Sequence, residues 1–102
     1  MTRSLYVMRH GVAEASSSTG DGGRLLTPFG ETSVKQLAER LFIENLGIQK
    51  VLASPILRAQ QTGRILASEL GLSLETALWL APGAVVSTVL SEVQNAERVI
   101  LV

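Results

Sequence analysis

The residues best suited to chemistry in this sequence are two arginines and the only histidine. Arg9 and His10 follow the apolar run 5–8, and Arg58 lies nearly fifty residues further along. Two guanidinium groups suit a tetrahedral dianion such as a phosphoryl group better than a flat carboxylate. An imidazole among arginines is favoured as the neutral form, whose lone pair can attack phosphorus. Each residue alone is more often a surface or structural side chain, but together they predict a phosphoryl site.

Apolar runs predict the strands that would position these residues. The run 5–8 is typical of a strand buried on both faces of a parallel sheet, and the other predicted strands or extended segments are 48–53, 74–80 and 98–102. Arg9 and His10 then end the first strand, and Arg58 lies in the first turn of the helix after the second. The carboxyl ends of parallel strands meet at one edge of a sheet, so we expect the three side chains to face one crevice. Helix N–H groups from Ser54 onward would add positive potential there.

Three amphipathic segments predict helices between these strands. Thr27-Pro28 and Ser54-Pro55 each place an N-cap before a proline at the first helical position. Gly47 and Gly71 supply the stops of the first two helices. The predicted buried positions are Val34, Leu37, Ala38, Leu41 and Phe42 in the first helix, Ile56, Ala59, Gly63, Leu66, Ala67 and Leu70 in the second, and Val85, Val86, Val89, Leu90 and Val93 in the third.

The alternation of strands and helices predicts an α/β fold. We expect a three-layer sandwich with a mainly parallel sheet and helices on both faces, as a single domain over residues 1–102. The small, polar and glycine-rich stretch 15–24 predicts a surface loop beside the site. Gly11 predicts a sharp turn or a close approach of the backbone to a ligand.

Composition excludes several classes of function. Nine basic residues balance nine acidic ones, so no global field attracts nucleic acid or a membrane surface. With no cysteine and one histidine, the sequence lacks the ligands of a zinc or iron site, and no cofactor is indicated. No apolar stretch has the length of a signal peptide core or a membrane span. We therefore expect a cytoplasmic protein.

Three stretches resemble motifs of the histidine phosphatase superfamily: LYVMRHGVAE at 5–14, SPILRAQQTG at 54–63 and DGGRLLTPFG at 21–30. The third is similar to the small SixA-like branch, the phosphohistidine phosphatases. The resemblance extends along the chain and implies a phosphoglycerate mutase-like fold. It also implies that His10 is the nucleophile that becomes phosphorylated, while Arg9 and Arg58 bind the phosphoryl oxygens. Ser54 and Thr62 match motif positions too, and we interpret Ser54 as a helix cap and Thr62 as a support for the turn after Arg58.

Two features depart from the family pattern. Family members carry a second catalytic histidine after a strand similar to RVILV, whereas here the sequence ends at Val102 and His10 is its only histidine. We therefore expect the C-terminal part of the domain to be missing and turnover to be weak or absent, because one electrostatic donor to the transition state is lacking. The family's general acid is not matched. Glu14 and Asp21 are near enough in sequence to be considered, although Glu14 also fits a solvated charge.

The expected substrate follows from the open site. The chain between Arg58 and the last strand is too short to contain a lid, and an uncapped crevice suits a phosphorylated side chain of another protein, as in signal transduction. The resemblance then implies hydrolysis of protein phosphohistidine through phospho-His10. The alternatives are a phosphatase or mutase acting on small phosphomonoesters, a non-catalytic phosphate or phosphoprotein binding module, and a structural fragment with a vestigial motif. Neither oligomeric state nor strand order is predicted.

Overall fold

A parallel four-stranded sheet forms the centre of the computed structural model, which describes residues 4–94 and 98–102. Tyr6 and Val51, in the strands on either side, both lie opposite Ile100. The last strand is therefore central, and Val99, Ile100 and Leu101 are buried, which accounts for its apolar run. The strands are β1 (Ser4–Val7), β2 (Lys50–Ala53), β3 (Ser73–Thr76) and β4 (Arg98–Leu101), in the order β1-β4-β2-β3.

Two long helices, α1 (Pro28–Glu44) and α2 (Leu57–Leu70), pack against each other on one face of the sheet. Thr27 caps α1, because its Oγ1 accepts from the Gly30 N–H at 2.9 Å. Gly71, in the left-handed conformation, ends α2 as expected. The buried cluster between the helices and the sheet consists of Val34, Ala38, Val51, Leu66, Ala67 and Ile100.

The opposite face carries a thinner layer, made of the short helix α3 (Val86–Glu92) and a single 3-10 turn at Leu78–Leu80. These cover Leu52, Ala77, Val99 and Leu101. The sequence-based prediction of an α/β three-layer sandwich with a parallel sheet and helices on both faces is confirmed, with unequal outer layers. None of the helices in the described ranges combines the length and apolarity that a membrane span requires.

The apolar stripe predicted for α1 is too wide. Val34 and Ala38 are buried as expected, whereas Leu37 is 39% exposed and Phe42 is 64% exposed. The helix meets α2 along one line rather than lying flat on the sheet, so only the residues on that line are covered. In α3 likewise, Val89 and Val93 pack inward, while the positions that remain exposed are Val85, Val86 and Leu90.

The predicted stop of α1 at Gly47 is also wrong. The helix ends at Glu44, and Asn45 follows in the left-handed conformation with φ 49°. Its backbone N–H donates to the Leu41 carbonyl oxygen at 3.1 Å. Asparagine tolerates this conformation better than most residues, so it ends the helix two positions before the glycine.

Candidate active site

The segments that follow β1 and β2 meet at the carboxyl edge of the sheet. Met8 donates its backbone N–H to Leu101, and Ser54 donates its own to Val102, both at 3.0 Å. The end of β4 thus joins the end of β1 to the start of the α2 segment. Helix N-termini and strand ends converge here, as they do at the ligand sites of other parallel sheets.

His10 is held in one tautomer by two contacts of its ring. Nδ1 lies 2.8 Å from the Gly11 carbonyl oxygen, and Nε2 lies 3.1 Å from Nε of Arg58. A carbonyl oxygen only accepts and a guanidinium only donates, so Nδ1 carries the proton and Nε2 carries the lone pair. The imidazole is therefore neutral in this arrangement, with the lone pair that a nucleophilic histidine requires directed toward Arg58.

Arg58 is a nearly buried guanidinium at the second position of α2, with 10% of its side chain exposed. Its Nε donates to His10, its Nη1 to the Asp21 carbonyl oxygen at 2.9 Å, and its Nη2 to the Asp21 carboxylate at 3.1 Å. In the described part of the chain no side chain caps α2, so its first N–H groups add positive potential beside the guanidinium. The predicted meeting of His10 and Arg58 is confirmed.

Arg9 lies at the same end of β1, on the solvent side. It is exposed, and within residues 4–94 and 98–102 no hydrogen bond or ion pair engages it. The structure therefore joins His10 to Arg58 but does not join Arg9 to either. Binding of phosphoryl oxygens by Arg9 stays a prediction.

Thr62 fastens the segment after His10 to α2. It is fully buried, and its Oγ1 accepts from the Gly11 N–H at 3.1 Å and donates to the Arg58 carbonyl oxygen at 2.8 Å. One hydroxyl thus connects the residue after the histidine with the backbone of the arginine. The interpretation of Thr62 as a supporting residue is confirmed.

Ser54 does not cap α2, which corrects the sequence-based interpretation. The helix begins at Leu57 with Ile56 at the N-cap position, and Ser54 Oγ accepts from the Ile56 N–H at 3.4 Å within the preceding turn. The same dipeptide pattern that begins α1 at Thr27-Pro28 therefore does not begin α2 directly.

Packing requires a glycine at position 11. A Cβ on Gly11 would lie 2.7 Å from Cγ2 of Val34 and 3.1 Å from the Gly30 carbonyl oxygen. A Cβ on Gly30 would in turn overlap the Val12 carbonyl oxygen. Two glycines therefore let the strand-end segment cross the first turn of α1 at backbone distance. The crossing fixes the position of His10 relative to α1.

The loop 15–24 is closed at its base and bears Asp21 near its far end. The Glu14 N–H donates to the Leu25 carbonyl oxygen at 2.8 Å, and the Glu14 carboxylate accepts from the Leu25 N–H at 3.0 Å. Arg24 donates to the Glu14 carbonyl oxygen as well. Glu14 is exposed at the start of the loop, as expected of a solvated charge, and its carboxylate also helps to close the base of the loop.

Asp21 is poorly suited to be the general acid considered from the sequence. The hydrogen bond from Arg24, followed by the hydrogen bond and the charge of Arg58, holds the pKa of its carboxyl below the ordinary value of 3.8. The group is ionised at neutral pH and has no proton to give there.

No three acidic or histidine side chains of the described ranges are grouped so as to hold a metal ion.

Sequence reasoning did not identify two contacts that shape the site. One is the ion pair of Asp21 with Arg58. The other joins Gln61 to the chain before α1, because its Oε1 accepts from the Leu26 N–H at 2.8 Å. Each contact joins residues more than thirty positions apart in the sequence. No local sequence pattern predicts which residues pair.

Comparison with known proteins identifies the family of the chain. The model of the histidine phosphatase superfamily (branch 1) matches residues 5–80. An uncharacterized protein of Picosynechococcus sp. (strain ATCC 27264 / PCC 7002 / PR-6) is 45% identical over 80 residues, 76% of this chain and 48% of that protein. The probable phosphoglycerate mutase GpmB of Enterobacter sp. (strain 638) is 37% identical over 70 residues, 66% and 32% of the two chains. The chain thus spans about half the length of the first relative and a third of the second.

Solved structures give the same fold. The protein histidine phosphatase SixA complexed with tungstate superposes with a TM-score of 0.85 at 31% identity, over 95% of this chain and 65% of that one. A SixA structure from Agrobacterium tumefaciens has a TM-score of 0.86 at 20% identity, over 100% and 69%, and shows the fold alone. The architecture is therefore SixA-like and phosphoglycerate mutase-like. Because the family model covers about three quarters of its length, the chain belongs to the histidine phosphatase superfamily.

Proposed function

We propose that this domain hydrolyses phosphorylated histidine side chains of other proteins through a covalent phosphohistidine on His10. One observation carries the proposal: the Nε2 lone pair of His10 lies 3.1 Å from Nε of Arg58, while the Nδ1 proton is held by the Gly11 carbonyl oxygen. A nucleophile and a phosphoryl-binding cation are thus adjacent, and the ring is already in the reactive tautomer.

The reaction would take two displacements at phosphorus. In the first, the Nε2 lone pair of His10 forms a bond to phosphorus while the P–N bond of the substrate breaks. The substrate ring, protonated at its other nitrogen, leaves as neutral imidazole with the bonding pair. In the second, water attacks phosphorus and loses a proton to solvent, Nε2 keeps the bonding pair, and inorganic phosphate leaves. Arg58, joined by Arg9 from the solvent side, would offset the charge on the phosphoryl oxygens in both steps.

Asp21 is not the proton donor that a phosphate ester would require. An ester requires a proton for its alkoxide leaving group, and the Asp21 carboxyl, held below its ordinary pKa by Arg24 and Arg58, has none at neutral pH. A protonated phosphoimidazole leaves without such help. The likeness to SixA, at 31% identity, supports the same substrate class, and the tungstate in that structure is a tetrahedral oxyanion of the expected kind.

A second candidate is a phosphatase or mutase acting on small phosphomonoesters. The observation that favours it is the 37% identity to a probable phosphoglycerate mutase. This activity would use the same nucleophile, His10, but its leaving group is an alkoxide rather than an imidazole. A non-catalytic phosphate-binding module is the remaining alternative, since Arg58 could hold an anion whether or not His10 reacts.

A single-turnover labelling assay separates these functions. The protein is incubated with a phosphohistidine-containing protein, with phosphoramidate as a small P–N donor, and with a panel of phosphomonoesters. We expect acid-labile phosphate on His10 from the two P–N donors, and none on His10→Ala. Single turnover is the appropriate measurement because labelling needs only the first displacement.

Matched arginine variants test the assigned cation. Arg58→Lys loses the guanidinium fork and should label at least about tenfold more slowly. Arg64→Lys makes the same change at an exposed position of α2 and should label at the wild-type rate. Labelling from esters alone would favour the second candidate. Binding of phosphate without any labelling would favour the module, and labelling that persists in His10→Ala would remove the proposal.

A further inference from the structure

The fork of Arg58 is already occupied by a carboxylate. Its Nη2 donates to Asp21 Oδ2 at 3.1 Å, and its Nη1 donates to the Asp21 backbone carbonyl oxygen at 2.9 Å. The other carboxylate oxygen accepts from Arg24 Nη1 at 3.0 Å. With the bond from Nε to His10, all three guanidinium nitrogens are engaged. Two of the five N–H donors remain, but a phosphoryl group bound at His10 would compete with the Asp21 carboxylate for the Nη pair and for the charge of the guanidinium.

We propose that Asp21 is a resident competitor at the anion site, displaced when a phosphoryl group binds and returning to expel inorganic phosphate after hydrolysis. The inference rests on the proposed function, because it takes Arg58 as the phosphoryl-binding cation. It adds that the loop 15–24 leaves Arg58 when the site is filled. Asp21 therefore weakens the binding of free phosphate at Arg58. A protein substrate makes further contacts with the domain, and these offset the lost affinity.

The loop is built to allow such an exchange. Its base is fixed by the two hydrogen bonds between Glu14 and Leu25, so the tip moves without loosening the strand edge. The Asp21 side chain is 67% exposed, so its carboxylate is hydrated by solvent when it leaves Arg58. The Arg58 side chain is 10% exposed, so its guanidinium stays in place. Asp21 also keeps its ion pair with Arg24 after it leaves Arg58, since the two lie within the same short turn.

The test is a binding titration with tungstate and with inorganic phosphate, followed through the ring signals of the single histidine. Asp21→Asn should bind both anions about two- to fivefold more tightly than wild type, the range expected for removal of an exposed ion-pair partner. Glu31→Gln removes the same charge from the exposed first turn of α1 without touching Arg58, and it should change affinity far less.

The outcomes separate this inference from the proposed function. Tighter binding in Asp21→Asn than in both wild type and Glu31→Gln supports the competitor. Equal binding in all three proteins overturns it and leaves the anion site intact. An equal gain in Asp21→Asn and Glu31→Gln also overturns it, because the effect is then one of net charge. If no folded variant binds either anion, the site itself fails, and the inference fails with it.

Discussion

Replacing Thr62 by valine should destabilise the fold at the candidate active site. The hydroxyl is fully buried and serves both the Gly11 N–H at 3.1 Å and the Arg58 carbonyl oxygen at 2.8 Å. In Thr62→Val the helix carbonyl keeps its intrahelical partner, whereas the Gly11 N–H loses its acceptor. An unsatisfied donor of this kind costs about 1–3 kcal/mol, so we expect the free energy of unfolding to fall by about 2 kcal/mol.

Thr62→Ser is the matched control, because it keeps the hydroxyl and removes only a buried methyl group. That loss costs about 1 kcal/mol. Unfolding in urea can be followed by the fluorescence of Trp79, the only tryptophan, which packs on the opposite face of the sheet. With a slope of about 2 kcal/mol per molar urea, the valine variant should unfold at about 1 M lower urea than wild type, and the serine variant at about 0.5 M lower.

Anion binding distinguishes the two variants further. Thr62→Val should bind tungstate more weakly, because Gly11 and the adjacent His10 are no longer held to α2. Thr62→Ser should bind it as wild type does. The reasoning is refuted if the valine variant is as stable as wild type, or if the serine variant proves the less stable of the two and also loses tungstate binding.

Two further substitutions test the backbone crossing and the charge of the loop. Gly30→Ala places a methyl group against the Val12 carbonyl oxygen and should lower the melting temperature, measured by circular dichroism, by about 5–15 °C. Gly22→Ala is the control and should lower the melting temperature little, because its new methyl group would meet no atom within 4 Å. Because the hydrogen bond from Arg24 is the largest single cause of the lowered pKa of Asp21, Arg24→Ala should raise that pKa toward 3.8 in a carboxyl carbon titration. The folded-state pKa is depressed, so the stabilisation by this carboxylate is present above pH 3.8 and is lost as the pH falls through the folded-state pKa. An unchanged midpoint in Arg24→Ala would contradict the assigned cause.

The parts of the fold with local causes could be predicted from the sequence. Thr27-Pro28 begins a helix and Gly71 ends one, because capping and the left-handed conformation depend on neighbouring residues alone. The rule that parallel strands end at one edge was sufficient to bring His10 and Arg58 together, although they lie 48 positions apart.

The remaining features depend on tertiary packing. The central place of β4 follows from competition among strands, for which no local signal exists. Phe42 fits the apolar spacing of α1 as well as Ala38 does, and only the line of contact with α2 decides that Ala38 is buried and Phe42 exposed. The ion pair between Asp21 and Arg58 likewise forms because the loop 15–24 folds back onto α2. Composition predicts the loop but does not predict which residue it contacts.

The most direct test of the account is the position of the phosphate on the imidazole of His10. After labelling with phosphoramidate, the phosphorylated residue is identified and its isomer assigned by ³¹P and ¹⁵N resonance, which a single histidine makes unambiguous. Because Nδ1 carries a proton bound to the Gly11 carbonyl oxygen and Nε2 carries the lone pair toward Arg58, the account predicts phosphate on Nε2 alone. Phosphate on Nδ1, or on any residue other than His10, would contradict it.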